Sequence, residues 1–326
     1  VEKGSEVVLK GRKTHTLRGS NDSLLVVGTV EELQAAKVVI LCEGPTDAIA
    51  LAPYLPAGAV AVTSTAGAGS FAPELAEFAI GIRASSLLKD GGTIQVGIGS
   101  MGMALCWAAE LRHIDNDAYQ RLMDALDVPG NGALISEEGG TEPFEKGLYA
   151  STEMFVEGLA RLFECGVLRR HVASDLDTQK LLDAGEIEAD DLDDAHCIHA
   201  GFFLGSEEFY RTLRELYEAD RQRISMTSVH FTNLLLGDEQ LKRRQRKHAR
   251  FCNEAMKVTL LGAVVSDGLE NQRVVSGVGG QFEFVKMAHE LDDARSILML
   301  PSTRESGGEV ESNIVYNYGH TRITRH

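Results

Sequence analysis

A buried-looking strand that runs straight into a glycine turn and reopens as an apolar helix constrains this chain more than any other feature. Thr93-Ile94-Gln95-Val96 reads as the strand, Gly97-Ile98-Gly99-Ser100-Met101-Gly102 as the turn, and residues 103–111 as the helix. From about residue 76 onward such strand-like and helix-like patterns keep alternating, which argues for an α/β architecture. Residues 154–163 read as an amphipathic helix carrying Phe155, Leu159, Leu162 and Phe163 on one side. Residues 207–217 read as another helix, and 258–265 and 296–300 as buried strands. The acidic stretch 183–194 reads as a solvated loop or short helix.

The first 75 residues look different. A polar start gives way to Val38-Val39-Ile40-Leu41, which suits a buried strand, and to a second apolar run at 59–62. Thr65-Ala66-Gly67-Ala68-Gly69-Ser70 then marks a flexible linker or domain edge. The expected organisation is a small N-terminal α/β region over 1–75 and a larger domain over 76–326.

Charge narrows the partners. With 32 basic against 48 acidic residues the formal net charge is −16. Neither a uniformly basic nucleic-acid face nor attraction to an anionic membrane is expected. An anionic coenzyme would have to be held locally, by backbone amides and a few arginines. The five cysteines, Cys42, Cys106, Cys165, Cys197 and Cys252, lack metal-ligand or redox spacing and read as reduced thiols of a cytosolic protein. The most apolar stretch, 48–62, is too short to span a bilayer and carries Pro53 and Pro56. The chain starts at Val1, as a processed product or fragment would.

Several constellations could carry chemistry. The turn at Gly97, Gly99 and Gly102 has the dinucleotide spacing, and Asp117 lies twenty residues after Gly97. No second strand precedes Asp117, so the turn also reads as a tight connection without ligand, or as a seat for a different anion. Val275-Ser276-Gly277-Val278-Gly279-Gly280-Gln281-Phe282 packs three glycines into four positions before a helix-like stretch, leaving amides free for a phosphate or an oxyanion. Glu153 sits in Ala150-Ser151-Thr152-Glu153-Met154-Phe155, where its blander reading is a carboxylate complementing a helix dipole. Cys42-Glu43-Gly44-Pro45-Thr46-Asp47-Ala48 looks like the metal-binding turn of Toprim domains, but no second acidic strand follows and the acidic balance disfavours a DNA enzyme. His199, His230 and His320 read as structural, without metal spacing.

Taken together, four stretches resemble the acetyl-CoA hydrolase/CoA-transferase family, in order and over roughly three quarters of the chain, 78–326. They are residues 90–100 (DGGTIQVGIGS), residues 147–154 (GLYASTEM), residues 274–281 (VVSGVGGQ) and Tyr316-Asn317-Tyr318-Gly319-His320. The resemblance implies an open, CoA-transferase-like α/β fold, and Glu153 as a nucleophile forming a covalent glutamyl intermediate from an acyl-CoA. It implies Asn233 and a backbone N–H of Gly279 or Gly280 as oxyanion donors. Gly97, Gly99, Gly277, Gly279, Gly280 and Gln281 are the implied coenzyme-binding residues. Coenzyme A as substrate, no metal, a small carboxylate acceptor and a cytoplasmic homo-oligomer complete the expectation.

The chain departs from the family pattern in three places. Residues 1–75 are short against the usual complete upstream α/β domain. Met103 stands where aspartate is usual, and a further threonine-glutamate-tyrosine-glycine segment would follow His326. These departures keep a second class open, a non-catalytic remnant that binds CoA or a nucleotide. A nicotinamide-dependent oxidoreductase using the Gly97 turn is the third.

Overall fold

The computed structural model describes five strands before residue 65, at 3–9, 12–17, 24–27, 38–41 and 59–64, and then residues 72–126, 132–192, 194–277, 279–306, 308–319 and 323–325. The linker at 65–70, the Cys42–to–Ala48 turn, Val278 and His320 lie outside these residues. The chain divides into two compact units, Val1–Ala79 and Ile80–His326.

The first unit holds a five-stranded sheet of β1 (Lys3–Leu9), β2 (Arg12–Leu17), β3 (Leu24–Val27), β4 (Val38–Leu41) and β5 (Ala59–Ser64), ordered β1-β2-β3-β5-β4. β4 pairs parallel with β5, and the other pairings are antiparallel. The apolar runs at 38–41 and 59–62 thus fall on its one parallel pair.

The second unit begins within α1 (Ala72–Ser85) and is an alternating α/β structure. Its strands β6 (Thr93–Val96), β7 (Tyr149–Val156), β10 (Ile198–Leu204), β11 (Ile224–Met226), β12 (Ala249–Glu254) and β15 (Arg295–Met299) form a six-stranded sheet ordered β11-β10-β7-β6-β12-β15. All five pairings are parallel. The chain enters at β6, winds outward to β11, then returns to the other side of β6 at β12. Winding therefore reverses between β6 and β12, and open α/β sheets bind ligands beyond the carboxyl ends of their strands at such reversals.

Helices connect the strands: α2 (Ser100–Ile114), α3 (Asn116–Ala125) and α4 (Gly132–Glu138) between β6 and β7, and α5 (Glu157–Glu164) after β7. A short pair, β8 (Val172–Ala173) and β9 (Ala195–His196), brackets α6 (Leu176–Ala184). Then come α7 (Glu207–Glu215) and α8 (Glu218–Gln222), α9 (Val229–Asn233) and α10 (Glu239–Gln245), and, before β15, α11 (Gln281–Glu290). Ile94, Leu105, Phe155, Leu159, Leu162 and Ile198 form the centre of the largest core cluster. Each such side chain contributes roughly 2 kcal/mol by leaving water.

Three expectations about elements are corrected. The helix expected over 154–163 is a strand through Val156 and a helix only from Glu157. Val156 is extended, and Met154, Phe155 and Val156 pair with Phe202, Phe203 and Leu204 of β10, so the ladder carries the chain three residues further than the side-chain pattern signals. The strand expected over 258–265 is a hairpin of β13 (Lys257–Thr259) and β14 (Ala263–Val265). Gly262, at φ 78°, donates to Thr259 O at 2.9 Å and closes it, which leaves Leu261 91% exposed at the tip. Helix 207–217 also stops early, at Glu215. Among the described residues no helix is long and apolar enough to cross a membrane.

Candidate active site

Glu153 lies near the carboxyl end of β7, one strand from the reversal point. Side chains alternate along a strand, so Tyr149, Ser151 and Glu153 share a face. The register puts Thr93 of β6 beside Tyr149 and His199 of β10 beside Ser151 on that face. Below Glu153 the face is polar, yet buried. Tyr149 Oη meets His199 Nδ1 at 2.9 Å, and Gln95 and Asn253 exchange two amide hydrogen bonds of 3.2 Å. Beside Glu153, Gly201 of β10 permits a close approach: a Cβ there would come within 2.9 Å of Glu153 O and 2.7 Å of Val229 Cγ1.

Two distant segments converge on the half-buried Glu153 carboxylate. Asn233, the last residue of α9, donates from Nδ2 to Glu153 Oε2 at 2.7 Å. Its Oδ1 accepts from Thr232 Oγ1 at 2.8 Å, so the amide is turned with its donor toward the acceptor-only carboxylate. Gly280 caps α11 without any side-chain hydrogen bond, and a Cβ on it would collide with Glu153 Oε2 and Asn233 Nδ2. The uncapped first-turn amides of a ten-residue helix therefore open beside the carboxylate, where negative charge is favoured. Gly279 takes φ 54°, the left-handed region that a side chain resists. Gly277 is exposed, and Gln281 begins α11 with its Nε2 buried and unpartnered.

The Gly97 turn is arranged differently from the expectation that it offers amides to an anion. Gly97 N donates to Cys252 O at 2.8 Å, and Gly102 N donates to the Glu254 carboxylate at 3.0 Å. That carboxylate packs where a Cβ of Gly99 would be. The start of α2 therefore already faces an anion supplied by β12, and a dinucleotide pyrophosphate would have to displace it. Glycine is needed at 99 for the φ of 131° and for this close approach. Met103 packs toward α5, its Sδ 3.1 Å from where Gly158 would place a Cβ.

Two residues without any local signal in the sequence hold the segment that carries Asn233. Lys242 and Arg246, four apart at the end of α10, lie 3% and 0% exposed and donate to carbonyls flanking Asn233. In the sequence they belong to a basic run, Lys242-Arg243-Arg244-Gln245-Arg246-Lys247, which reads as a solvated face. Nothing local marks two of its members as buried. His199, read as structural, is 5% exposed with its ring 4.9 Å from that of Phe231. Among the described residues no group of three or more His, Cys, Asp or Glu is placed to hold a metal ion.

Burial, with the charges of His196 and Arg246, holds His199 down at about 3, whereas in the unfolded chain it titrates near 6.5. Between these values the unfolded state binds the extra proton, so stability present above pH 6.5 is lost as pH falls toward 3. The expected contribution of this residue is a loss on the order of 3 kcal/mol between pH 7 and pH 4. Urea unfolding at both pH values checks it. His199→Gln should flatten the acid slope, and an unchanged slope would assign the acid sensitivity to other groups.

Comparison with known proteins places this geometry in context. The sequence model of the acetyl-CoA hydrolase/transferase C-terminal domain matches residues 205–326, a segment containing Asn233 and the glycines of 277–280; Glu153 precedes it. The 4-hydroxybutyrate coenzyme A transferase of Clostridium kluyveri is 23% identical over 231 residues, 71% of this chain and 39% of that protein. A probable butyrate:acetyl-CoA coenzyme A-transferase of Syntrophomonas wolfei is 33% identical over 113 residues, 35% of this chain and 23% of that protein. The chain thus covers about two fifths or less of these curated relatives. Among solved structures, RipA from Yersinia pestis is similar with a TM-score of 0.49 and 21% identity, covering 76% of this chain and 42% of that one. A 4-hydroxybutyrate CoA-transferase from Porphyromonas gingivalis gives 0.44 and 20%, covering 76% and 43%. The family resemblance read from the sequence is borne out.

Proposed function

Because residues 205–326 match the acetyl-CoA hydrolase/transferase C-terminal domain, we propose that the chain handles acyl-CoA thioesters, with Glu153 as the covalent nucleophile. One observation carries this reading: a carboxylate from β7, a side-chain amide from α9 and the glycine-capped start of α11 meet at one point.

The Glu153 carboxylate attacks the thioester carbonyl, and the C–S bond breaks to release CoA thiolate and leave an acyl-glutamyl anhydride. In a transferase the thiolate attacks the glutamyl carbonyl, expelling the first carboxylate and forming a glutamyl-CoA thioester. A second small carboxylate reverses the sequence and leaves as the new acyl-CoA. In a hydrolase water opens the anhydride instead. Each addition develops an oxyanion, for which the Asn233 amide and the backbone N–H of Gly280, assisted by that of Gly279, are the donors. Gly277 and Gln281 flank the coenzyme. The Gly97 turn, with Glu254 against it, serves as a tight connection rather than a phosphate seat. The working form is a cytoplasmic homo-oligomer that uses CoA and no metal.

The test is chemical trapping. Acetyl-CoA or butyryl-CoA with hydroxylamine should convert Glu153, and no other carboxylate, to a hydroxamate found by peptide mass mapping. Borohydride should reduce the same residue after acyl-CoA treatment. Turnover with no modification of Glu153, or the absence of both turnover and modification, removes the covalent mechanism.

A further inference from the structure

The donor side of the site rests on a very short helix. α9 has five residues, too few to persist by its own hydrogen bonds, and its last carbonyls have no helical partners. Something must hold Asn233 at 2.7 Å from Glu153, and the contacts made by α10 show what does.

Arg246 donates from Nη2 to Phe231 O and from Nη1 to Leu234 O at 3.3 Å, so the carbonyls two residues before and one after Asn233 end on one guanidinium. Nη1 also donates to Met287 Sδ of α11 at 3.0 Å. The same planar group thus ties together α9, which carries Asn233, and α11, which begins at Gly280. Lys242 adds bonds of 2.9 and 2.8 Å to Leu234 O and Leu236 O, with its ammonium 5.0 Å from the centre of the Phe231 ring. Burial lowers Arg246 to about 10 and Lys242 to about 8, so both remain cations at neutral pH.

We infer that Arg246, seconded by Lys242, is a positioning residue of the acyl-transfer site, fixing the Asn233 amide against Glu153 by clamping the carbonyls on either side of it. The inference rests on the proposed role of Asn233 as an oxyanion donor. A guanidinium suits the task because its rigid fork bonds several acceptors in one plane, which an ammonium cannot do. The clamp acts on the rate of the chemical step rather than on coenzyme affinity, since none of its atoms belongs to the coenzyme-binding glycines.

The experiment is a double-mutant cycle in the full chain with acetyl-CoA as substrate. Asn233→Ala should lower kcat on the order of 10²-fold, as loss of one oxyanion donor does. Arg246→Lys should lower kcat by a comparable factor with KM for acetyl-CoA within about threefold. The double variant should be no slower than the slower single, because the clamp has nothing left to position. Lys242→Met, a milder change, should give a smaller kcat loss that Asn233→Ala also masks, and it carries the test should Arg246→Lys fail to fold. Normal kcat in both clamp variants, or losses that multiply with that of Asn233→Ala, overturns the inference. A wild-type rate in Asn233→Ala overturns instead the oxyanion role on which it rests.

Discussion

Glu153→Gln is expected to abolish acyl transfer, with kcat falling on the order of 10⁴-fold or more, as happens when a covalent nucleophile is removed. The substitution is nearly isosteric, and a glutamine oxygen can still accept from Asn233 Nδ2, so the geometry around residue 153 should persist. An amide, however, is not a competent nucleophile toward a thioester. The rate of CoA release, followed by thiol titration, should collapse while the thermal midpoint stays within a few degrees. If the glutamine variant retains a tenth of the wild-type rate, Glu153 is not the attacking group, whatever its surroundings.

Gly280→Ala is expected to lower activity on the order of 10²-fold or more for a steric reason. The new Cβ would occupy space held by Glu153 Oε2 and Asn233 Nδ2, with Phe284 Cε2 3.0 Å away on its other side. The carboxylate and the amide would have to separate. Backbone strain does not confuse this test, because Gly280 has φ −90°, which alanine adopts freely. Gly279→Ala provides the contrast. Its φ of 54° costs an alanine about 1 kcal/mol, but nothing lies within 4 Å of the added methyl. Denaturation midpoints beside kcat values should therefore separate the pair, with stability lost at 279 and turnover at 280. Wild-type turnover in Gly280→Ala would mean that the carboxylate works in another position.

The strand–turn–helix at 93–111 and the apolar runs at 38–41 and 59–62 were legible because their patterns are local, and each became the element expected. The boundary at 154–156 was not, because Met154, Phe155 and Val156 are compatible with either a helix or a buried strand. Hydrogen bonding to β10, whose residues 202–204 pair with them, decides for the strand. The Gly97 turn shows a related limit of local pattern. Its glycines signal a close approach to the backbone, and the group that approaches, Glu254, lies some 150 residues onward.

On its own, the sequence carried the alternating α/β order, the resemblance to a family and the residue types able to carry acyl-transfer chemistry. Only the tertiary structure decided which of them meet. Glu153, Asn233 and Gly280 are separated by 80 and 47 positions, and their convergence depends on β7 lying in mid-sheet while the connections after β11 and β12 fold back over its face. It also decided that Lys242 and Arg246 are buried. Burial of a cation depends on carbonyls gathered from elsewhere in the chain to replace its water, and no local pattern encodes that.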